Sequence, residues 1–234
     1  MTQKRALLVG ASGLVGTHCL TQLLSDPTYS EVLSLVRSPL PFSSPKLSQV
    51  VIDFMQLEAE ITRLKAMRPS DFKIDQVFCC LGTTIKRAGS PEKFAEVDMN
   101  LPLRLARLAL QSGTELFSVV SAVDADPNSK VFYNRVKGQM EQELAKIGLT
   151  QVHVFRPSLL LGNRQEIRRL EKLQKVALSL ARPLLFGPMK KYRAIQASAV
   201  GIALVKAAHN LKPGFWIYES DQIQKIYNEN FNTV

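Results

Sequence analysis

The stretch Gly10-Ala11-Ser12-Gly13-Leu14-Val15-Gly16, set between an apolar run and a helical pattern, narrows the possible folds of this chain more than any other feature. Arg5 to Gly10 reads as a short buried strand, and Leu14 to Leu24 repeats apolar residues at helical spacing. A strand that enters a helix through glycines opens a βα unit, since glycine lets the backbone fold back and lets helix and strand approach without a Cβ between them. The same turn gathers unbonded N–H groups and the positive end of the helix dipole at one point, which suits a pyrophosphate. Its spacing is GxxGxxG and not the commoner GxGxxG, so the strand before it and the helix after it give the motif its weight. Gly10, Ser12, Gly13, Leu14, Val15 and Gly16 are the candidate phosphate-binding residues.

The βα alternation continues. Glu31 to Arg37, Gln49 to Ile52, Asp75 to Leu81, Leu116 to Ser121 and Gln151 to Arg156 read as further strands. Ser90-Pro91-Glu92 is a helix start, with a capping serine and a proline suited to the first turn, and apolar periodicity runs on to about Leu110. A second helix spans Val131 to Ile147 and closes at Gly148. Buried strands alternating with helices predict an α/β fold: a doubly wound parallel sheet of Rossmann type, NAD(P)-binding, covered on both faces. After Gly162 the pattern loosens into a charged helix over Asn163 to Leu180, a proline-containing stretch from Arg182 to Pro188, a helix near Ala197 to His209 and a strand-like Gly214 to Glu219. With 234 residues, the chain reads as a single domain over 1–234. Residues 4–162 form the NADP(H)-binding core, and 163–234 form a short C-terminal extension acting as a small substrate-side cap.

The charge at the end of the second strand selects among dinucleotides. A carboxylate there accepts hydrogen bonds from the ribose of NAD(H), whereas an arginine favours a 2′-phosphate. Here the strand ends in Arg37 with no carboxylate beside it, so NADP(H) is preferred over NAD(H). Asp53 and Phe54, just after the third strand, are placed to hold the adenine amino group and ring, though the spacing fits an ordinary loop pair equally well. Leu81, Gly82 and Thr83 close the fourth strand, where glycine again lets backbone approach a cofactor.

Tyr133 and Lys137 are four apart on a helical pattern, so both project from one face. A phenol, with an ordinary pKa of about 10, becomes a usable acid or base near neutral pH when an ammonium and an oxidised nicotinamide stabilise its anion. Ser121, at the end of the fifth strand, is placed to donate a hydrogen bond to a carbonyl oxygen. Ser121, Tyr133 and Lys137 are the candidate catalytic residues.

In combination, GASGLVG, Ser121, the Tyr133-Asn134-Arg135-Val136-Lys137 run and Phe155-Arg156-Pro157-Ser158 resemble the short-chain dehydrogenase/reductase superfamily over roughly residues 4 to 162. CCLGTT at Cys79 to Thr84, YNRVKGQME from Tyr133 to Glu141 and FRPSLLLGNRQE from Phe155 to Glu166 look like its atypical Tat-interacting-protein-like branch. The resemblance implies NADP(H) binding and an NADP(H)-dependent oxidoreductase that moves hydride between the cofactor and an unidentified carbonyl or alcohol. It implies hydrogen-bond donation by Ser121, acid/base work by Tyr133, and ribose contact and phenol activation by Lys137. It also implies that the segment with Pro157, Ser158 and Leu160 backs the nicotinamide. Asp98 departs from the pattern, standing where many members carry an asparagine that holds a proton-relay water. The alternative reading, from a different class, is an NADP(H)-binding regulatory or interaction module with little turnover.

The remaining signals add less. A net charge of +10 fits nucleic acid, an acidic membrane surface or a polyanionic cofactor, and nucleic acid is the least favoured of the functional readings. Arg164 to Lys172 mixes both signs and reads as a solvated amphipathic face, while Lys190-Lys191-Tyr192-Arg193 is more purely basic. Cys19, Cys79 and Cys80 form no CxxC pair, and His18, His153 and His209 are scattered, so no disulfide framework and no metal site is expected. No apolar run is long enough to span a bilayer, and the cytoplasm is the simplest compartment. The small-molecule substrate and the choice between monomer and homo-oligomer stay open.

Overall fold

The computed structural model describes residues 3–67, 73–162 and 187–229. Its strands are β1 (Lys4–Val9), β2 (Tyr29–Val36), β3 (Leu47–Val51), β4 (Gln76–Cys79), β5 (Leu116–Val120), β6 (Gln151–Arg156), β7 (Leu160–Leu161), β8 (Ile195–Gln196) and β9 (Gly214–Glu219). Seven form one sheet in the order β3-β2-β1-β4-β5-β6-β9, while β7 and β8 pair separately. Every neighbouring pair in the large sheet is parallel. The doubly wound Rossmann-type sheet predicted from the alternation is therefore present.

Successive residues of one strand feed opposite cores, as the pleat requires. Ala6 and Leu8 join a layer with helix α1 (Leu14–Ser25), while Leu7 and Val9 join a layer with α2 (Leu57–Met67). Two short helices, α3 (Ile85–Ala88) and α4 (Pro91–Ala95), follow β4, and α5 (Leu101–Gln111) and α6 (Phe132–Ala145) pack in the α2 layer. Helices α7 (Ala197–Ala207) and α8 (Ser220–Asn228) complete the α1 layer through residues such as Val200, Leu204 and Ile223.

Three helices, α2, the one-turn α3 and α8, are additions to the elements read from the sequence. The signal for α2 was present: Leu57, Ile61 and Leu64 stand on one helical face and are all buried, each stabilising by about 1.5–3 kcal/mol relative to exposure. The helix expected from Pro91 to Leu110 is helical throughout but is interrupted by a π turn at Glu96–Asn100. Proline at 102 has no N–H to give the Asp98 carbonyl four residues back, and the Leu101 N–H bonds instead to Glu96 O, one residue further than in an α-helix. The charged helix predicted over 163–180 and the stretch 182–186 lie outside the described residues.

Candidate active site

In a parallel sheet every strand delivers its following loop to the same edge. The chain leaves β1 toward β2 and β3, then returns to β4 on the other side, so the carboxyl ends of β1 and β4 flank the topological switch point where ligands of such sheets bind. The glycine turn occupies this point. Gly10 has φ +87°, and a Cβ there would lie 2.5 Å from the Cys80 carbonyl oxygen; a Cβ on Gly16 would lie 2.0 Å from Gly10 O. The turn is thus pressed on β4 and helix α1 on the turn. Gly13 precedes α1 with no side-chain cap, whereas Thr84 and Ser90 cap α3 and α4. A twelve-residue helix with an uncapped start beside a turn bracketed by Gly10 and Gly13 fits a pyrophosphate. Ser12 is exposed, Gly13 and Leu14 are half-buried, and Val15 and Gly16 are buried.

The other predicted dinucleotide residues arrive at the same edge. Arg37 follows β2 directly and is exposed. Asp53 follows β3 by one residue, and its carboxylate accepts from Met55 N at 2.9 Å, capping a short 3-10 turn. Phe54 is half-buried against the α2-layer core, and its carbonyl accepts from Arg104. Leu81, Gly82 and Thr83 continue from β4 toward Asp98: Thr83 N donates to Asp98 Oδ2 at 2.9 Å, and a Cβ on Gly82 would lie 3.6 Å from Asp98 Oδ1.

Tyr133 and Lys137 lie on the first turns of α6, whose start is held by the β5–α6 loop through Asp126 N to Asn134 O at 3.1 Å and Arg135 to Ser129 O at 2.8 Å. The Tyr133 ring is half-buried and tilted against Phe94 of α4, with centroids 5.5 Å apart. Lys137 is 2% exposed. Its ammonium forms an ion pair with Asp98 Oδ1 at 2.8 Å and donates to the Val120 carbonyl, at the end of β5, at 3.3 Å. Burial opposes the lysine charge, but the adjacent Asp98 carboxylate outweighs it and holds the ammonium above the ordinary lysine range.

Ser121 also lies at this edge, buried, and its hydroxyl donates to Glu141 of α6. Glu141 in turn receives Arg156, whose Nε lies 3.1 Å from both carboxylate oxygens, and Arg156 reaches Glu219 at 3.3 Å. Pro157 is buried, and Ser158 ties two later segments to the end of β6: its N–H donates to Ser220 Oγ at 2.6 Å and its hydroxyl to Arg193 O. Leu160 packs against the α1-layer core. Across the edge, Lys191 and Tyr192 of a 3-10 turn (Gly187–Tyr192) each contact Asp124 Oδ1 at 3.0 Å, so part of the basic run pairs within the chain. Beside that turn, Lys190, Arg193, Ile195, Ser220, Asp221 and Gln224 line a cleft of about 650 Å³.

The residues missed from sequence are those that act on other residues, Phe94, Glu141 and Glu219, together with the pairing of Asp98 with Lys137 and Thr83. They are distant along the chain, and the one local signal was Pro102, which marks the π turn carrying Asp98. Among the described residues no cluster could hold a metal ion. Burial pushes the Cys79 thiol up to about 12, in keeping with a packing role.

Comparison with known proteins agrees with this geometry. The model of the NAD dependent epimerase/dehydratase family matches residues 6–173. Protein HTATIP2 of Rattus norvegicus is 34% identical over 178 residues, 75% of this chain and 70% of that protein. Protein fmp52, mitochondrial, of Emericella nidulans is 30% identical over 231 residues, 93% of this chain and 96% of that protein. Among solved structures, UDP-glucose 4-epimerase from Thermotoga maritima aligns with TM-score 0.67 at 17% identity over 95% of this chain and 81% of that one. The Bordetella bronchiseptica enzyme WbmH in complex with NAD+ aligns with TM-score 0.70 at 14% identity over 97% and 80%. At those identities the structures speak to the fold alone. The sequence matches and the sheet together place this chain in the NAD-dependent epimerase/dehydratase family.

Proposed function

We propose that this protein is an NADP(H)-dependent oxidoreductase of the short-chain dehydrogenase type, acting on a carbonyl/alcohol pair. The observation that carries this reading is the buried Lys137 ammonium on the helix that presents Tyr133, at the same sheet edge as the glycine turn. The bound cofactor supplies the hydride in reduction and accepts it in oxidation. The glycine turn and the α1 N-terminus would hold the pyrophosphate, and Pro157, Ser158 and Leu160 would back the nicotinamide. Tyr133 Oη gives its proton to the substrate oxygen as a carbonyl is reduced and takes one back in the reverse direction. Lys137 offsets the charge left on the phenol oxygen and contacts the ribose. Ser121 donates to the substrate oxygen once its hydroxyl rotates away from Glu141. Residues after 162 shape the substrate side.

Tyr133→Phe tests the reading against a panel of aldehydes, ketones and quinones, followed by loss of NADPH absorbance. Turnover is expected to fall by about 10²–10⁴-fold while NADPH affinity and Tm hold; full turnover by the variant defeats it. The NADP(H) preference rests on Arg37. Arg37→Ser is expected to weaken NADPH about 10- to 100-fold, the loss of one charge-assisted contact, while leaving NADH unchanged. Equal effects on both would remove the preference.

The second reading, an NADP(H)-binding module with little turnover, is favoured by one observation: the only proton on the Ser121 hydroxyl goes to Glu141. Tight NADPH binding with no oxidation across the panel selects it. We keep the cytoplasm as the proposed compartment; the Emericella relative is named mitochondrial, and fractionation against markers for both decides.

A further inference from the structure

Asp98 is 1% exposed and uses both carboxylate oxygens on elements that meet at the edge. Oδ1 faces Lys137 Nζ at 2.8 Å, and Oδ2 accepts from Thr83 N, in the segment that leaves β4. The π turn at 96–100 bears this carboxylate and is imposed by Pro102. The groups around the ammonium come from four elements: Asp98 on the π turn, the Val120 carbonyl on β5, Cys79 on β4 and Tyr133 on α6 itself. With Cys79 held neutral by burial, Asp98 is the one anionic partner at neutral pH among them. An ammonium taken this far from water loses its proton unless a carboxylate compensates it.

We propose that Asp98 is a positioning residue for the proton-transfer step: its carboxylate holds Lys137 in place as an ammonium behind the Tyr133 phenol and fastens the Leu81–Thr83 segment to the same point. This role rests on the proposed function, in which Tyr133 transfers the proton. Two consequences follow. The site keeps its cation far into alkaline conditions, and the dinucleotide side and the proton-transfer side are coupled through one carboxylate.

Asp98→Asn separates charge from shape, because an amide oxygen still accepts from Thr83 N while the negative charge is lost. The readout is the Lys137 resonance in protein labelled with ¹⁵N at lysine Nζ, without cofactor, assigned by its loss in Lys137→Arg. In the wild type the ammonium is expected to persist through the ordinary lysine range, about pH 10.4. In Asp98→Asn its midpoint is expected to fall by at least one pH unit, a tenfold loss of proton affinity, with NADPH affinity within about threefold; Asp98→Glu is expected to return it toward the wild type. An unchanged midpoint in Asp98→Asn overturns the proposal, as does deprotonation below the ordinary range in the wild type. The wild-type titration decides alone if the asparagine variant does not fold. The alkaline limb of NADPH-dependent turnover is expected to move down by the same interval, which a purely structural role would not do. The resonance is read without turnover, so it stands even if Tyr133→Phe shows that the chain is no reductase.

Discussion

Helix α6 carries two buried ion pairs of opposite polarity one turn apart, Lys137 to Asp98 and Glu141 to Arg156, and they are built differently. The first is sealed, with side chains 2% and 1% exposed, and it joins one cation to one carboxylate. The second is shared: Arg156, 19% exposed, reaches past Glu141 to Glu219, the residue that caps α8. A sealed pair cannot lose a partner without stranding a charge, whereas a shared one has solvent and a third group to fall back on. On the proposed function the sealed pair serves proton transfer at Tyr133, whereas the shared pair fastens the C-terminal strand and helix to the core.

The widest gap between the two pairs is expected in stability. Lys137→Met strands Asp98 and is expected to cost about 3–5 kcal/mol in chemical denaturation, while Glu141→Gln, which leaves Arg156 its Glu219 partner, costs about 1–3 kcal/mol. Equal losses would break the comparison. Replacing both members of the sealed pair, Asp98→Asn with Lys137→Met, is expected to recover most of the stability without recovering turnover.

Acid probes the other side of the sheet. His153 on β6 packs against Tyr218 of β9 at 5.3 Å and against Phe155, and burial lowers its pKa to about 4. The unfolded chain takes up this proton near pH 6.5 and the folded chain does not until about pH 4. Stability is therefore present above the upper value and is lost as pH falls through that window, by roughly 3 kcal/mol. Hydrogen exchange is expected to loosen β9 before the strands beside Lys137, and His153→Asn to flatten the slope. Loosening first at β5 would place the weak point on the wrong side.

The same division explains what the sequence could show. The parallel strands were legible because burial on both faces leaves unbroken apolar runs such as Ala6-Leu7-Leu8-Val9, and the glycine turn because its backbone demands are local. Tyr133 and Lys137 were legible because they lie one helical turn apart. Helix α2 was missed because its apolar stripe is short, only Leu57, Ile61 and Leu64, in a segment otherwise rich in Glu58, Glu60, Arg63 and Lys65. Asp98 stood out only as a departure from the family pattern, and the pairings of Lys137 with Asp98 and of Ser121 with Glu141 were not legible. Each is set by a meeting of elements far apart in the chain, the π turn with α6 in one case and β6, α6 and β9 in the other.

The smallest expected effect separates two roles for Ser121. Ser121 lies between the pairs in role: its position at the end of β5 suits substrate, but its proton goes to Glu141. Ser121→Ala removes one donor from a carboxylate that still receives Arg156, so the loss of stability is expected to be about 1 kcal/mol or less. If the hydroxyl turns to substrate during the reaction, turnover falls at least about tenfold, the equivalent of one hydrogen bond made in the transition state, with NADPH affinity intact. If turnover does not change, Ser121 belongs with Glu141 and Arg156 in fastening the cap, and Tyr133 with Lys137 and Asp98 carries the proton transfer without it.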